Sequence, residues 1–261
     1  MLDVAIASCT QIGARSRNED DLRFGRRGAV AYAVLSDGAG GHRGGAIASD
    51  FVVRTIALSL QSAAGATPQS LTAVLLDTHA ALCELQQRGA GADRMHATVV
   101  ALWLDAAAAC ALWSHVGDSR LYLLRHGRAR QLTRDDTLVQ QMVDAGYLSA
   151  DEARDHPQKN QLIGAMGMDG AIDPHTVDAP LPLRDGDAFL LCSDGWWASL
   201  DAAAIESTFA DAGSADDWLA RMQARVRDAG VAGQDNFRAV AVWIGDPAQA
   251  TRIGGLWAQA D

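Results

Sequence analysis

The sequence predicts an α+β fold in which stacked antiparallel sheets are covered by helices. Three observations carry this expectation. Runs rich in Val, Ile, Leu, Trp and Tyr, bounded by Gly or Asp, recur along the chain as strands. Several of these runs follow one another with only tight turns between them, which favours antiparallel pairing. The helical patterns arrive in blocks rather than after every strand, unlike an alternating parallel fold. With 261 residues, 49% of them apolar, one large sandwich can bury a sizeable core.

In chain order, strands are expected near 3–9 and 29–36. A helix follows at about 43–62, where Ile47, Phe51, Val52, Ile56 and Leu60 recur at helical spacing. A second helix opens at Thr67-Pro68, a cap followed by proline at the first helical position, and runs to about 87. Leu71, Leu75, Leu82 and Leu85 form its inward stripe. Residues 97–132 read as a meander with strands at 97–105, 109–116 and 119–125, turning at Asp105–Ala108, Gly117–Asp118 and His126–Gly127. From about 135 to 160 the chain turns polar, an insertion expected to be mostly helical with a capping box at Ser149 and Glu152. A strand at 187–193, helices near 201–211 and 215–229, and a last strand at 238–244 complete the domain, 1–245. Residues 246–261 read as a tail in which Leu256 and Trp257 are the candidates for docking on the surface.

Charge and cysteine usage narrow the function classes. There are 22 basic against 32 acidic residues, a net charge of −10, which argues against nucleic acid as the main partner. Cys9, Cys83, Cys110 and Cys192 are far apart and form no C-x-x-C pair, so they read as thiols of a reducing compartment, not a disulfide framework or a zinc site. No stretch approaches a membrane span. The segment before Ile6-Ala7-Ser8-Cys9 is too short for a signal peptide and contains Asp3, and a cytoplasmic location is expected.

The chemistry lies where apolar runs stop. AVAYAVLSDG (Ala29–Gly38) and DAFLLCSDG (Asp187–Gly195) both end at Ser-Asp-Gly, and CALWSHVGDS (Cys110–Ser119) ends at Asp118 in nearly the same way. A single Asp-Gly is an ordinary turn, because Asp caps its own backbone and Gly accepts positive φ. Three copies in the same strand-end context would gather carboxylates at a sheet rim, where a divalent cation is the usual neutraliser. Glu19 and Asp20 in RSRNED and Asp235 in QDN add further oxygen donors. With no His or Cys pair at ligand spacing, such a set suits magnesium or manganese, not zinc or copper. Arg15 and Arg17 precede the acidic pair, and an arginine fork matches a phosphate's oxygens.

In this order, Arg15-x-x-Asn18-Glu19-Asp20, Asp37-Gly38-Ala39-Gly40-Gly41-His42, Gly117-Asp118-Ser119-Arg120, Ser193-Asp194-Gly195 and Asp235-Asn236 resemble the metal-dependent Ser/Thr protein phosphatases of the protein phosphatase 2C type, in their bacterial single-domain form. The likeness covers about 5–244 and includes LTRDDTLVQQMVDAG (Leu132–Gly146) and His156-Pro157. It implies a four-layer α/β/β/α sandwich with two Mn2+ or Mg2+ ions, and room for a third, at one end. Carried over, Asp37 bridges the two ions, the Gly38 carbonyl binds one, and Asp194 and Asp235 bind the other. Asp118 helps hold a third, weaker ion, while Glu19 and Asp20 hold ion-bound water with Asn236 beside them. Arg15 grips the phosphate. The resemblance further implies direct hydrolysis of phosphoserine and phosphothreonine by water activated between the ions, phosphoprotein substrates, and an opposing bacterial Ser/Thr kinase as partner in signalling.

Several positions depart from the family's habit. Ala39 stands where bacterial members commonly have Met and animal ones His, and His96-Ala97-Thr98 stands where Gly-Thr-Thr is usual. Asp136 replaces a common His, and Phe237-Arg238 follows Asp235-Asn236 where a Thr is usual two residues on. The insertion at 135–160 corresponds to the family's flap, in which Met142, Tyr147 and Leu148 are candidates for shaping substrate choice. Trp196 and Trp197 either line the site or pack beneath it, and His42 is either a general acid or structural.

Overall fold

The computed structural model describes residues 1–39, 44–63, 65–88, 95–230 and 233–245. Two sheets form its centre. The first runs β1 (Val4–Gln11), β13 (Phe237–Ile244), β12 (Ala188–Cys192), β8 (Arg120–Arg125) and β9 (Arg128–Gln131), every neighbour antiparallel. The second runs β7 (Cys110–Val116), β6 (Val99–Asp105), β3 (Val30–Ser36) and β2 (Asp21–Arg27), with the short β10 (His175–Thr176) and β11 (Leu181–Pro182) on the outer side of β7. A two-stranded ribbon of β4 (Gly38–Ala39) and β5 (His96–Ala97) continues from β3.

The long apolar runs are continuous because β3, β6, β7, β8, β12 and β13 are buried on both faces. In β12, Phe189 and Leu191 meet Leu35, Leu102 and Val240 between the sheets. Leu190 and Cys192 point the other way, onto Trp218, Leu219 and Met222 of α7 (Ala215–Asp228) and Ile205 of α6 (Ala202–Ala210). On the far side, α1 (Gly44–Ser62) and α2 (Pro68–Arg88) cover Val34, Ala101 and Leu112 of the second sheet. Helix, sheet, sheet, helix is the expected four-layer order.

Four expectations need correction. Ile47 is half exposed: the buried face of α1 begins with Gly44, Gly45, Ala48 and Ser49, because the helix start lies against Gly38 and Glu19 too closely for a large side chain. Leu85 is exposed, since Gln86 takes the inward position and binds the Gly167 carbonyl and the Met95 amide. The 97–132 meander is broken: β7 and β8 do not pair but lie in different sheets, joined by a corner at Gly117, whose φ is +98°. The insertion is helical only in α3 (Leu138–Asp144) and α4 (Ala150–Arg154), although the Ser149–Glu152 capping box forms. Several elements were not anticipated, the short strands β4, β10 and β11 among them. β2 is a polar, mostly exposed edge strand, and α5 (Asp194–Trp197) is a single turn. The tail from 246 onward and His42 lie outside the described residues.

Candidate active site

Strand register brings the marked residues to one end of the sandwich. Ser36, before Asp37, pairs with Asp21 beside Glu19 and Asp20. Cys192, two before Asp194, pairs with both Ala239 and Arg120, the latter two residues after Asp118. Phe237, two after Asp235, pairs with Gln11, where the chain leaves β1 towards Arg15. Both sheets therefore deliver their acidic termini to the same rim.

There the carboxylates are set against one another. Burial and the charge of Asp194 raise the Asp20 carboxyl to about 7, opposed by the Ser193 hydroxyl, which donates to Asp20 Oδ2 at 2.8 Å. Burial, then Asp20, Asp194 and Asp118, push Asp37 well above the carboxylate range. Asp118 is pushed up by burial, Asp194 and Asp135, and Asp194 by burial and Asp235. Asp194 Oδ1 is buried without a hydrogen-bond donor. Mutual repulsion and an orphaned acceptor are the signature of a cation-binding acidic site.

At the exposed rim, Arg15 Nη2 donates to Asp235 Oδ2 at 2.6 Å. The two residues expected to grip phosphate and metal thus hold each other. Among the described residues, no three His, Cys, Asp or Glu side chains form a ready-made metal cage. Asp235 faces Arg15 instead. The donor set itself, all oxygen and rich in carboxylate, fits Mn2+ or Mg2+.

Gly38 is held where only glycine fits: its amide donates to the Glu19 carbonyl at 3.1 Å, and a Cβ would lie 2.4 Å from the Gly45 backbone. Asn236 staples the Arg15 loop to β13. Its Oδ1 accepts from the Glu19 amide at 2.7 Å, and its Nδ2 donates to the Ile12 and Arg17 carbonyls. Glu19 stays half-buried behind this staple, its carbonyl also accepting from Ser49 Oγ at 2.5 Å.

Several residues that hold the site escaped sequence reasoning. Thr98 Oγ1 accepts from the Asp37 amide at 3.0 Å and lies 2.7 Å from Ser119 Oγ, so one hydroxyl ties the Asp37 turn to the Asp118 corner. The serine of each Ser-Asp-Gly is a strut: Ser36 Oγ donates to the Thr98 carbonyl at 2.6 Å, and Ser193 Oγ reaches Asp20. Its recurrence was the signal that could have found both. Arg238 Nη1 reaches Asp21 at 2.6 Å from the position where the family departs. The two tryptophans part ways. Trp196 is core, beside Phe237, whereas Trp197 Nε1 donates to the Asp118 carbonyl at 2.9 Å with the Arg120 guanidinium stacked on its ring.

The protein phosphatase 2C family profile matches residues 10–237. The serine/threonine protein phosphatase PstP of Mycobacterium tuberculosis is 36% identical over 185 residues, which is 69% of this chain and 34% of that protein. The chain thus spans about a third of the length of that relative. The serine/threonine phosphatase stp of Listeria innocua is 32% identical over 202 residues, 74% of this chain and 77% of its own. Among solved structures, the catalytic domain of PstP in complex with two manganese ions superposes with a TM-score of 0.81 at 27% identity, covering 94% of this chain and all of that one. With the same architecture, the same ordered motifs and a profile match over most of its length, the chain belongs to the protein phosphatase 2C family.

Proposed function

We propose that this protein is a metal-dependent serine/threonine protein phosphatase that hydrolyses phosphoserine and phosphothreonine in proteins. The observation that carries the reading is the cluster of buried Asp20 and Asp118 with half-buried Asp37 and Asp194, mutually repelling and lying beside an arginine at the rim. Residues 1–245 are the catalytic domain in this reading, with 135–160 as its flap.

Asp37, the Gly38 carbonyl, Asp194 and Asp235 would hold two Mn2+ or Mg2+ ions, with Asp118 at a third. When bound, such ions offset phosphoryl charge and make a water acidic enough to attack phosphorus near neutral pH. Glu19 and Asp20 orient water from behind, Asp20 held by Ser193. Arg15 is exposed enough to exchange Asp235 for an incoming phosphate, whose oxygens its fork matches. As the phosphoryl group transfers, the guanidinium stays on its equatorial oxygens and stabilises the charge gathering there. The reading assigns no cysteine as nucleophile: burial pushes all four thiols up, and Cys192 lies in the core. An opposing Ser/Thr kinase and a cytoplasmic setting belong to the same proposal. No helix among the described residues is long and apolar enough to cross a membrane.

Hydrolysis of a phosphothreonine peptide with Mn2+ added is the test. Turnover abolished by EDTA and by Asp194→Asn is expected. Folded, Mn2+-loaded protein that releases no phosphate would overturn the reading.

A further inference from the structure

The corner that carries Asp118 is held by Asp136, a residue outside the acidic cluster. Gly117 bends the chain from the second sheet into the first at φ +98°, and a Cβ there would lie 2.7 Å from Thr98 Cγ2. Its amide donates to the Asp136 side chain, at Oδ2, 2.8 Å away. Asp136 returns the bond, its own amide donating to the Gly117 carbonyl at 3.0 Å. The two residues close a ring around the peptide that precedes Asp118.

Asp136 has further ties. Its carbonyl accepts from the Ile163 amide at 2.8 Å, so one residue joins the corner to both ends of the flap. Its second carboxylate oxygen, Oδ1, accepts from His175 Nε2 at 2.8 Å. His175 stands on β10 opposite His115 of β7, and the two rings stack at 5.0 Å. His175 thus reaches Asp136 from a strand that flanks β7.

We propose that the Asp136–His175 pair is a positioning device for Asp118, fixing the corner from outside the acidic cluster and tying it to the flap. Neither residue touches the reacting atoms. Trp197 holds the Asp118 carbonyl from one side, and Asp136 holds the preceding amide from the other. Removing a hydrogen-bond partner one layer behind a metal ligand typically costs 10- to 100-fold in metal affinity or activity. His175 orients the Asp136 carboxylate so that Oδ2 stays on Gly117. The inference rests on the phosphatase reading for its effect on turnover, but not for its effect on metal binding.

The test combines Mn2+ titration calorimetry on metal-stripped protein with peptide hydrolysis over a range of Mn2+, for wild type, Asp136→Ala, His175→Ala and the exchanged pair Asp136→His with His175→Asp. Asp136→Ala is expected to weaken Mn2+ binding by about tenfold and to raise the Mn2+ needed for half-maximal velocity equally. His175→Ala, on a half-exposed strand, should keep the fold and give a smaller shift in the same direction. The exchanged pair should recover part of the loss. Should Asp136→Ala fail to fold, His175→Ala and the exchanged pair decide the matter. Mn2+ binding at wild-type strength in every folded variant would overturn the proposal, even with melting temperatures lowered. Weakened Mn2+ binding in a protein that shows no turnover at all would uphold it and remove only the phosphatase reading.

Discussion

Stripped of metal, the protein should lose stability as pH rises towards neutrality, and Asp20 sets the scale. Its carboxyl stands at about 7 in the folded chain against an ordinary 3.8. A group that binds its proton more tightly when folded stabilises the fold at low pH, and that contribution is lost as pH climbs from 3.8 to 7. Between pH 5.5 and 7.5 the Asp20 share amounts to about 2 kcal/mol. His115 works in the opposite direction, because burial lowers its pKa below 6.5 and it must charge on unfolding in acid. Comparison with Asp20→Asn cancels that contribution, and the asparagine keeps an acceptor for Ser193. Denaturant unfolding of both proteins in EDTA is the assay. The stability of Asp20→Asn relative to wild type should improve by about 2 kcal/mol from pH 5.5 to 7.5, and saturating Mn2+ should erase the improvement. A relative stability that stays flat with pH would refute the claim that the acidic cluster is self-repelling without a cation.

Asp194→Asn should raise the stability of metal-free protein at pH 7.5 while abolishing Mn2+-dependent turnover, because a neutral amide removes the charge that repels Asp20, Asp37 and Asp118; paired melting and phosphate-release curves check both halves. Thr98→Val preserves shape but leaves the Asp37 amide unpaired, and should cost about 1–3 kcal/mol in denaturant unfolding with a loss of turnover at limiting Mn2+. Arg120→Lys loses the forked bond to Asp135 and the stack on Trp197 together, so a drop of about 2 kcal/mol is expected in the same assay. Gly195→Ala would place a Cβ 2.1 Å from the Asn236 carbonyl oxygen, and should reduce peptide hydrolysis more than it lowers the melting temperature, since the displaced segment carries Asp235.

What the sequence reveals and what it hides divide along a physical line. Strands buried on both faces announce themselves as apolar runs, and the aspartates ending them stand out because a charge directly after such a run needs a reason. That is why Asp37, Asp118 and Asp194 were legible and why the structure gathers them. The polar edge strand β2 gave no such contrast, and the Gly117 corner reads locally like a hairpin, because nothing in Gly-Asp tells the chain which sheet comes next. The supports of the site were hidden for a related reason. Thr98, Ser193 and Asp136 act through bonds spanning 61, 173 and 19 positions, and small polar residues carry no periodicity. The pairing of Arg15 with Asp235 belongs to the same class, joining residues 220 positions apart that each look like an independent site residue. Its meaning is electrostatic. In a rim crowded with carboxylates, the exposed Arg15 guanidinium takes Asp235, and a cation that satisfies that acid makes the guanidinium easier for phosphate to claim. Metal and phosphate binding are therefore expected to be coupled, with Mn2+ tightening the protein's hold on inorganic phosphate and the Arg15→Ala variant losing that coupling when the two ligands are titrated together.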